Sequence, residues 1–465
     1  MPRTSVSSQC RTCHAATPLK VIRTELTPNG FTSPPRGWNS FPIQANPSIT
    51  ASFSFDQAGV ITQCDELAVL GAGYEYCSLD SGWSVGDHGD DYGRITDDPD
   101  KFDLPALADH LHSKGLKVGV YVLPGAFCND ADKTIEGTSI KINDTMSGNN
   151  NGFARCDFDF AKDGVQQWHN SVVKLFAEWG VDLIKLDYIT PGSPDNGGNL
   201  PADNSGSVIA FHKAIQNSGR EIRLDISWKL DRSSEYFPIW ASNADSMRTD
   251  QDVNESGSSI FVKWVTVQRA IDNYRDFIAS VVKGDSDTLT IYPDMDNLLI
   301  GNAASISGVS DVQRQTIATH WFGAAANLIV GSDLTNLDYL GRKLLTDPDA
   351  LGVAAFAAKF PMQPRNPGTG GLDAKQLQAW VGGPDASTGE AVVVLVNYGP
   401  DQGQGGFGTS DSGTQNVTAS YEDLGLTGTY NVRNVWQKED LGSVSGGLSA
   451  ILDEGESRLF SLMPA

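Results

Sequence analysis

Hydrophobic residues recur along the first 360 residues in two alternating patterns. Short apolar runs bounded by Gly, Pro, Asn or Asp alternate with longer segments in which apolar residues return every three or four positions. The short runs are typical of buried parallel strands and the longer segments of amphipathic helices. The predicted strands are Pro34–Phe41, Tyr74–Trp83, Leu116–Val122, Val181–Tyr188, Glu221–Ser227, Ser246–Thr249, Thr288–Asp294 and Asn327–Leu334.

Helical segments separate these strands. They are predicted at Gln57–Leu70, Leu104–Lys114, Asp163–Trp179, Ser207–Asn217, Val262–Ser280 and Val312–Ala326. Eight strands interleaved with helices over residues 33–360 indicate an α/β fold, a TIM (β/α)8 barrel. An open, doubly wound sheet is the alternative. It would be favoured by a GxGxxG turn after an early strand, which this sequence lacks.

The pattern changes near Gln376 to short alternating strands, such as LQAWVGG and AVVVLVNY, with Gly, Ser, Asp and Thr in the turns. This pattern predicts a C-terminal antiparallel β-sandwich. We therefore divide the chain into a leader over residues 1–30, which we expect to be disordered, a catalytic barrel over 31–365 and the sandwich over 370–465. The sandwich is interpreted as a packing module, with sugar binding as the alternative.

Net charge excludes some partners. The chain carries a net charge of -23, which argues against nucleic acid and anionic membranes as partners. No run of about eighteen apolar residues predicts a membrane span. The N-terminal residues contain Arg and Ser but no continuous apolar core, so no signal peptide is visible in this chain, and they resemble a transit peptide only slightly. The oligomeric state stays open.

Cysteines and glycosylation motifs indicate an extracellular, secreted protein. Apart from Cys10 and Cys13, the chain has four cysteines, an even number, all in the N-terminal half. Three Asn-x-Ser/Thr motifs begin at Asn143, Asn254 and Asn416. Cys10, Cys13 and His14 have the CxxCH spacing of haem attachment, which we interpret as coincidence. The remaining cysteines are Cys64, Cys77, Cys128 and Cys156.

Polar side chains collect where the predicted strands end. In a barrel, functional residues lie at that C-terminal face. Lys185 and Asp187 alternate onto one face of their strand, and burying both is costly unless they pair or act chemically. A structural ion pair and a catalytic pair are both consistent with this stretch. The strand ends carry Asp80, Tyr121, Lys185, Asp187, Asp225, Arg248, Asp252, Asp294 and Asp296.

These strand ends favour glycosidase chemistry over metal chemistry. Two carboxylates facing one sugar are the minimum that a glycosidase needs. The seven histidines give no clear ligand set, because His110 and His112 are two apart on a helix and point in different directions. We therefore expect a carbohydrate substrate, no metal and no cofactor.

The motifs PPRGWNSF, LGAGYEYCSLDSGW and FAEWGVDLIKLDY follow one another along the chain, and in this order they resemble those of glycoside hydrolase family 27, which contains α-galactosidases, α-N-acetylgalactosaminidases and β-L-arabinopyranosidases. PPRGWNSF resembles the family's PPMGWNSW, LGAGYEYCSLDSGW its GYxYxxxDDCW, and FAEWGVDLIKLDY its FAxWGVDxLKxD. Downstream, RTDQDV, PDMDNLLIGN and LIVGSDL are similar to R-x-x-x-D-I, DPDMLxxGN and LLIGNDL. These motifs occur in the same order as in the family, and together they span nearly the whole chain after the leader.

The resemblance implies roles for two carboxylates. Asp187 matches the nucleophile and Asp252 the general acid/base of a retaining double displacement, which needs carboxyl groups about 5–5.5 Å apart. We expect Lys185 to help keep Asp187 ionised and the pKa of Asp252 to be raised.

Other positions match substrate contacts of the family. Arg248 corresponds to an arginine on the sugar's 2-hydroxyl and Lys185 to a lysine on ring hydroxyls. The family cysteine matched by Cys128 pairs with one just after the nucleophile; this sequence has Tyr188-Ile189 there, which favours Cys156 as its partner. The implied pocket positions are Trp38, Asp80, Ser81, Tyr121, Cys128, Lys185, Ser227, Arg248 and Asp296.

Departures from the family bear on the sugar. Ser81 replaces the second member of an acid pair that grips the 4- and 6-hydroxyls, as in a β-L-arabinopyranosidase, whose sugar lacks the hydroxymethyl group. Ser227 stands where many α-galactosidases have Glu, as in α-N-acetylgalactosaminidases, although Leu230 would crowd an acetamide. We predict an α-galactosidase, with β-L-arabinopyranosidase or α-N-acetylgalactosaminidase as alternatives. An inactive carbohydrate-binding relative would have lost Asp187 or Asp252, and both are present.

Overall fold

The computed structural model describes residues 18–50, 52–192, 198–283, 287–365, 376–404 and 412–465. The CxxCH motif lies outside these ranges. Among the described helices, none combines the length and apolar character that crossing a bilayer requires.

Eight parallel strands form a barrel, which confirms the predicted fold class. Seven neighbouring pairs are joined by regular ladders, and the ring closes where Leu298, just after the seventh strand, pairs in parallel with Val330 of the eighth. The strands are β1 (Arg36–Asn39), β2 (Tyr76–Leu79), β3 (Lys117–Val122), β4 (Val181–Leu186), β5 (Arg223–Ile226), β6 (Ser246–Arg248), β7 (Tyr292–Asp294) and β8 (Leu328–Val330).

Helices cover the outside of the barrel, and local sequence sets their ends. The helix Val165–Trp179 buries Trp168, Val172 and Phe176 and ends at Gly180, whose φ of 87° only glycine adopts readily. Helices between the strands and after β8 are Phe41–Ala45, Gln57–Leu70, Leu104–Ser113, Val165–Trp179, Gly206–Ser218, Phe237–Asn243, Trp264–Lys283, Ala304–Ser307, Asp311–Gly323, Tyr339–Thr346 and Pro348–Ala357.

The chain packs onto the barrel before residue 31. Arg23–Thr24 is a strand that pairs in parallel with Thr288–Leu289, and Ile22 is buried. Part of the expected leader is therefore ordered, because a neighbouring strand takes up its backbone hydrogen bonds. The predicted strand Thr288–Asp294 is accordingly two strands, of which only the second belongs to the barrel.

A small three-stranded sheet follows the C-terminal end of β3. Its strands are Ala126–Phe127, Met146–Asn150 and Arg155–Phe158, all antiparallel. A disulfide between Cys128 and Cys156 ties this sheet together. The other disulfide joins Cys64, on the helix Gln57–Leu70, to Cys77 on β2.

The C-terminal domain is a β-sandwich of a six-stranded and a two-stranded antiparallel sheet. Gln363–Arg365 is the first strand of the larger sheet, so the sandwich begins within the range that the sequence analysis assigned to the barrel. A short helix, Tyr421–Leu424, follows one of the strands of the smaller sheet. The strands are β9 (Gln363–Arg365), β10 (Leu377–Gly382), β11 (Ala391–Asn397), β12 (Gln415–Ser420), β13 (Thr429–Asn434), β14 (Glu439–Ser445), β15 (Gly447–Leu452) and β16 (Glu456–Pro464).

The larger sheet uses both of its faces. Val393 and Leu395 belong to the sandwich core, while Val392 and Val394 on the opposite face join the core of the barrel. At the same junction, Tyr398 accepts a hydrogen bond from the Trp380 indole at 2.9 Å. The sandwich thus shares a buried apolar interface with the barrel.

Candidate active site

An ion pair connects the ends of β2 and β4, across β3, on the C-terminal face. Lys185 Nζ donates to Asp80 Oδ2 at 2.8 Å, and Asn39 Nδ2 donates to the same oxygen at 3.2 Å. The Lys185 ammonium also lies 5.5 Å from the centre of the Tyr121 ring. Although burial alone would lower the pKa of Lys185, the charges of Asp80 and Asp187 raise it. Lys185 is therefore a fixed cation in the pocket.

Asp187 follows β4 and is 8% exposed. Its backbone N–H donates to Val122 O at 2.9 Å, which anchors it to β3. Burial raises the pKa of its carboxyl, the charge of Lys185 lowers it, and the charge of Asp252 raises it again; the net shift is upward. Asp187 Oδ1 is buried and has no hydrogen-bond partner among the described residues, which leaves this oxygen available for chemistry.

Arg248 and Asp252 pair at the end of β6. Arg248 Nη2 donates to Asp252 Oδ1 at 2.9 Å, and the Asp252 side chain is 41% exposed while that of Arg248 is 2% exposed. Burial favours a higher pKa for Asp252, but the positive charges of Arg248 and Lys185 outweigh it and lower the pKa. Asp252 thus reaches from a buried cation toward the open side of the pocket.

Further carboxylates surround the Arg248 guanidinium. Asp296 Oδ2 lies 3.4 Å from Nη2 and Asp294 Oδ2 lies 3.8 Å from Nε. Asp296 has a φ of 72° and accepts the Val253 N–H at 2.7 Å, so a strained backbone is held in place beside the pocket. Together these acids fix the guanidinium against the barrel wall.

The expected raised pKa of Asp252 is wrong, whereas Lys185 favours the ionised form of Asp187 as expected, although it does not decide the net shift. The pKa of Asp187 is raised because burial outweighs the charge of Lys185. The pKa of Asp252 is lowered because Arg248 bonds to it directly. The sequence contains both cations, but it does not reveal which carboxyl each of them contacts.

Three other predicted positions lie close to this cluster. Ser227, at the end of β5, is 1% exposed, and its hydroxyl interacts with Asp187 and accepts from Arg248 Nη1 at 3.5 Å. The Tyr121 hydroxyl interacts with the Asp187 carboxyl. Ser81 is exposed at the rim, and its backbone N–H donates to Asp80 Oδ1 at 2.8 Å.

Trp38 and Cys128 lie deeper. Trp38 is fully buried and its indole N–H donates to Ser332 O at 3.1 Å, so the ring is part of the core. Cys128 is bound in the disulfide with Cys156, the pairing that the resemblance favoured. Neither side chain is joined to Asp187 or Asp252 by a described contact.

An aromatic group next to Asp187 was not predicted. Tyr188, directly after Asp187, stacks on Trp228 at 4.7 Å and packs against Phe153 at 4.6 Å between ring centres. Tyr188 and Trp228 have φ values of 55° and 101°, unusual for aromatic residues. Their positions after Asp187 and Ser227 were the only signal in the sequence, and Phe153 comes from a distant loop.

No cluster of His, Cys, Asp or Glu with the geometry of a metal site occurs among the residues that the structure describes. The acids at this face instead contact Lys185 and Arg248. Two carboxyls with opposite pKa shifts, two cations and a carboxyl oxygen without a partner among the described residues form an arrangement that can stabilise a positively charged sugar ring and transfer a proton.

Comparison with known proteins supports this interpretation. The family model described as "Alpha galactosidase A" matches residues 48–162 and 161–355, and the "Alpha galactosidase C-terminal beta sandwich domain" matches residues 374–462. Alpha-galactosidase 3 of Hypocrea jecorina is 50% identical over 458 residues, which cover 96% of this chain and 73% of that protein.

Solved structures share the fold. A GH27 β-L-arabinopyranosidase from Geobacillus stearothermophilus superposes with a TM-score of 0.75 at 22% identity, over 93% of this chain and 98% of that one. Alpha-galactosidase I from Mortierella vinacea gives a TM-score of 0.65 at 18% identity, with coverage of 93% and 98%. The matches to both domains and the 50% identity show that this chain is a glycosidase that belongs to the α-galactosidase family, glycoside hydrolase family 27.

Proposed function

We propose that this protein is a retaining exo-α-galactosidase that releases terminal α-D-galactose from oligosaccharides, polysaccharides or glycoconjugates. The observation that carries the proposal is the joint presence of Asp187 and Asp252 at the ends of β4 and β6, where the charge of Lys185 acts on Asp187 and Arg248 pairs with Asp252. The 50% identity to an α-galactosidase of Hypocrea jecorina supports galactose as the sugar.

In the proposed first step, an Asp187 carboxylate oxygen attacks the anomeric carbon, and the bond to the glycosidic oxygen breaks. Asp252 gives its proton to that oxygen, which leaves as an alcohol. A sugar over the exposed Asp252 side chain excludes water, and this raises the pKa toward the value that an acid needs. Esterification also removes the negative charge of Asp187.

In the second step, water attacks the anomeric carbon of the ester and Asp252 accepts its proton. Loss of the Asp187 charge lowers the pKa of Asp252, since that charge had favoured the protonated form. The change favours the base over the acid at the point where a base is required. Two inversions give galactose with the original α configuration.

The sugar contacts follow from the same residues. We assign Arg248 to the 2-hydroxyl and Lys185, with Asp80, to hydroxyls on the other side of the ring. Trp38, Tyr121, Cys128 and Asp296 then support the pocket rather than the reaction, Trp38 and Cys128 from within the fold.

β-L-Arabinopyranosidase activity is the second candidate. Ser81 supplies no carboxylate at the rim, where the family pattern has an acid for the 6-hydroxyl, and L-arabinopyranose has no such group. An arabinopyranosidase of Geobacillus stearothermophilus has the same fold. α-N-Acetylgalactosaminidase activity is a third candidate, since the small Ser227 leaves room, but Leu230 is buried nearby in the chain.

The deciding experiment is parallel hydrolysis of the 4-nitrophenyl glycosides of α-D-galactose, β-L-arabinopyranose and α-N-acetylgalactosamine. We expect the highest kcat/KM on the galactoside and a first-formed α product by NMR. A preference for either other glycoside would reassign the sugar. If the folded protein hydrolysed none of the three glycosides, the result would favour a carbohydrate-binding relative without activity.

The role of position 81 has its own test. Ser81→Asp restores the acid and should raise kcat/KM on the galactoside relative to the arabinopyranoside, because a carboxylate binds a hydroxyl more strongly than a serine does. An unchanged ratio would remove Ser81 from the sugar pocket.

We also propose that the protein acts outside the cell. Two disulfides and exposed glycosylation motifs at Asn143 and Asn416 support an oxidising, secretory environment. Detection of the enzyme in the culture medium of its source cells, with both disulfides intact, tests this assignment; retention inside the cells with reduced cysteines would contradict it.

A further inference from the structure

A small polar cavity extends into the barrel from the floor of the sugar pocket, with which it shares Lys185, Arg248 and Asp296. Its volume is about 30 Å³. Ser78 and Asp225, which line it, precede the pocket residues Asp80 and Ser227 by two positions on β2 and β5. Because inward-facing residues alternate along a strand, they form the next layer of the barrel interior. Barrel interiors are normally filled with apolar side chains, so a polar cavity here requires an explanation.

Four buried polar atoms on the wall of this cavity have no hydrogen-bond partner within the described residues. They belong to side chains that are between 1% and 6% exposed. Buried polar atoms are nearly always satisfied, and four on one cavity indicate a common partner. They are Ser78 Oγ, Asp225 Oδ1, Arg248 Nε and Asn327 Oδ1.

The volume and the donor set fit water. A water molecule requires about one probe sphere of space and two to four polar partners, and the cavity supplies both. A cation does not fit, because Arg248 and Lys185 already line the cavity with positive charge. No metal-binding group of His, Cys, Asp or Glu occurs there in the described chain.

Asp225 links this cavity to both cations of the sugar pocket. It is the cross-strand partner of Lys185 in the ladder between β4 and β5, and it faces Asp294, which contacts Arg248. Burial and the charge of Asp294 raise the pKa of Asp225, which favours the protonated form of its carboxyl. A protonated carboxyl and a carboxylate side by side can share that proton.

We infer that this cavity holds ordered water bound by Asp225, Ser78, Asn327 and Arg248, and that Asp225 is a positioning residue for the two sugar-binding cations. The inference rests on the proposed function for the roles of Lys185 and Arg248.

The planar guanidinium explains how position is transmitted. Water on Arg248 Nε fixes one edge of the plane, and Nη2 on the same plane donates to Asp252 at 2.9 Å. Rotation of Arg248 away from its present orientation would therefore break the contact with Asp252. Asp225 acts through this water and through Lys185, and it does not itself touch the sugar.

The hydration site is tested by a crystal structure of the unaltered protein at a resolution that shows water. We expect density within hydrogen-bond distance of Asp225 Oδ1, Arg248 Nε and at least one of the other two atoms. An empty cavity, or direct contacts that close it, would overturn the inference. This result does not depend on any activity, so it stands even if the proposed sugar is wrong.

The positioning role is tested by galactose binding measured by calorimetry. Asp225→Leu fills the cavity with apolar atoms, and we expect galactose to bind about tenfold more weakly, as when one hydrogen bond to a charged group is misplaced. Asp225→Asn keeps a polar partner for the water and should recover most of the affinity. Asn327→Leu, at the residue that precedes β8, should resemble Asp225→Leu.

Unchanged galactose affinity in folded Asp225→Leu and Asn327→Leu would overturn the positioning role. Equal losses of galactose affinity in Asp225→Leu and Asp225→Asn would also overturn it. In that case, keeping a polar partner for the water would make no difference to galactose binding. Failure of the unaltered protein to bind galactose would instead count against the proposed function, and the crystal structure would then decide the hydration site alone.

Discussion

Arg248 Nη2 donates to Asp252 Oδ1 at 2.9 Å, so the proposed acid/base of the reaction is held by the cation that we assign to the sugar's 2-hydroxyl. In the empty pocket this contact lowers the pKa of Asp252, while burial raises that of Asp187. Before substrate binds, the carboxyl with the higher pKa is therefore Asp187 and not the proposed acid, Asp252. Substrate binding must both shield Asp252 from water and engage Arg248.

Arg248→Gln should move the pH profile. Arg248 favours the charged forms of both Asp252 and Asp187, so its removal raises the pKa of each carboxyl. Both limbs of the bell-shaped dependence of kcat/KM, which belong to the coupled pair, should therefore shift to higher pH. Arg248→Lys retains the charge and serves as the control. An unchanged pH dependence of kcat/KM in Arg248→Gln would contradict the electrostatic coupling of Arg248 to the two carboxyls.

Asp187→Asn should reduce turnover of the aryl α-galactoside to background. The amide has no negative charge with which to form the glycosyl ester. Thermal unfolding should change little, because Asp187 Oδ1 makes no hydrogen bond among the described residues. Asp109→Asn on the exposed face of the helix Leu104–Ser113 makes the same chemical change away from the pocket and should retain activity. Substantial turnover by Asp187→Asn would assign the nucleophile elsewhere.

Asp252→Ala should lose about 10²- to 10⁴-fold in kcat on substrates with poor leaving groups, the usual contribution of a general acid. The loss should be smaller for an aryl leaving group that needs no proton. Added azide should then restore turnover and yield the α-galactosyl azide, because it attacks an ester already inverted at Asp187. A β-azide product would indicate that the two aspartates exchange roles.

Glycans should occur on Asn143 and Asn416 but not on Asn254 in the folded enzyme. Asn143 and Asn416 are exposed, whereas Asn254 is 9% exposed and its Nδ2 donates to Ser256 Oγ at 3.2 Å. A glycan is too large to be accommodated at a buried side chain. Mass spectrometry of glycopeptides from active protein made in a secreting eukaryotic host checks this, and occupancy of Asn254 would contradict it.

The strand that carries Lys185 and ends before Asp187 could be predicted, because a parallel strand and its end leave local signals in the sequence. The run VDLIKL predicts β4, and strand alternation places Lys185 and Asp187 on one face. The partners of these residues could not be predicted, because they come from other strands. Lys185 contacts Asp80 from β2, and the closest cation to Asp252 is Arg248.

Other features of the structure could not be predicted because the local sequence does not encode them. The strands β6 and β7 are only three residues long, so periodicity cannot fix their ends. Arg23–Thr24 is ordered by a strand more than 260 positions away, and no local pattern reveals such pairing. The cavity around Asp225 depends on side chains from several strands, whereas the sequence shows only one acid in an apolar run.

His169 should make the fold sensitive to acid. It is fully buried among Phe158, Trp168 and Phe211, with ring centres 5.0 Å apart in each case, and its Nδ1 is bonded to Val165 O. Burial lowers its pKa to about 4. An unfolded histidine titrates near 6.5, so the unfolded state binds one more proton between about pH 4 and pH 6.5.

Stability from this residue is thus fully present above pH 6.5 and is lost as the pH falls toward 4, by about 1.4 kcal/mol per pH unit. His169→Phe keeps the aromatic contacts and removes the titration, so the drop in unfolding free energy from pH 7.5 to 5.0 should shrink by about 2 kcal/mol. Thermal midpoints at the two pH values measure this, with the exposed His88→Gln as the control. An equal drop in His169→Phe and unaltered protein would place the acid sensitivity at other groups.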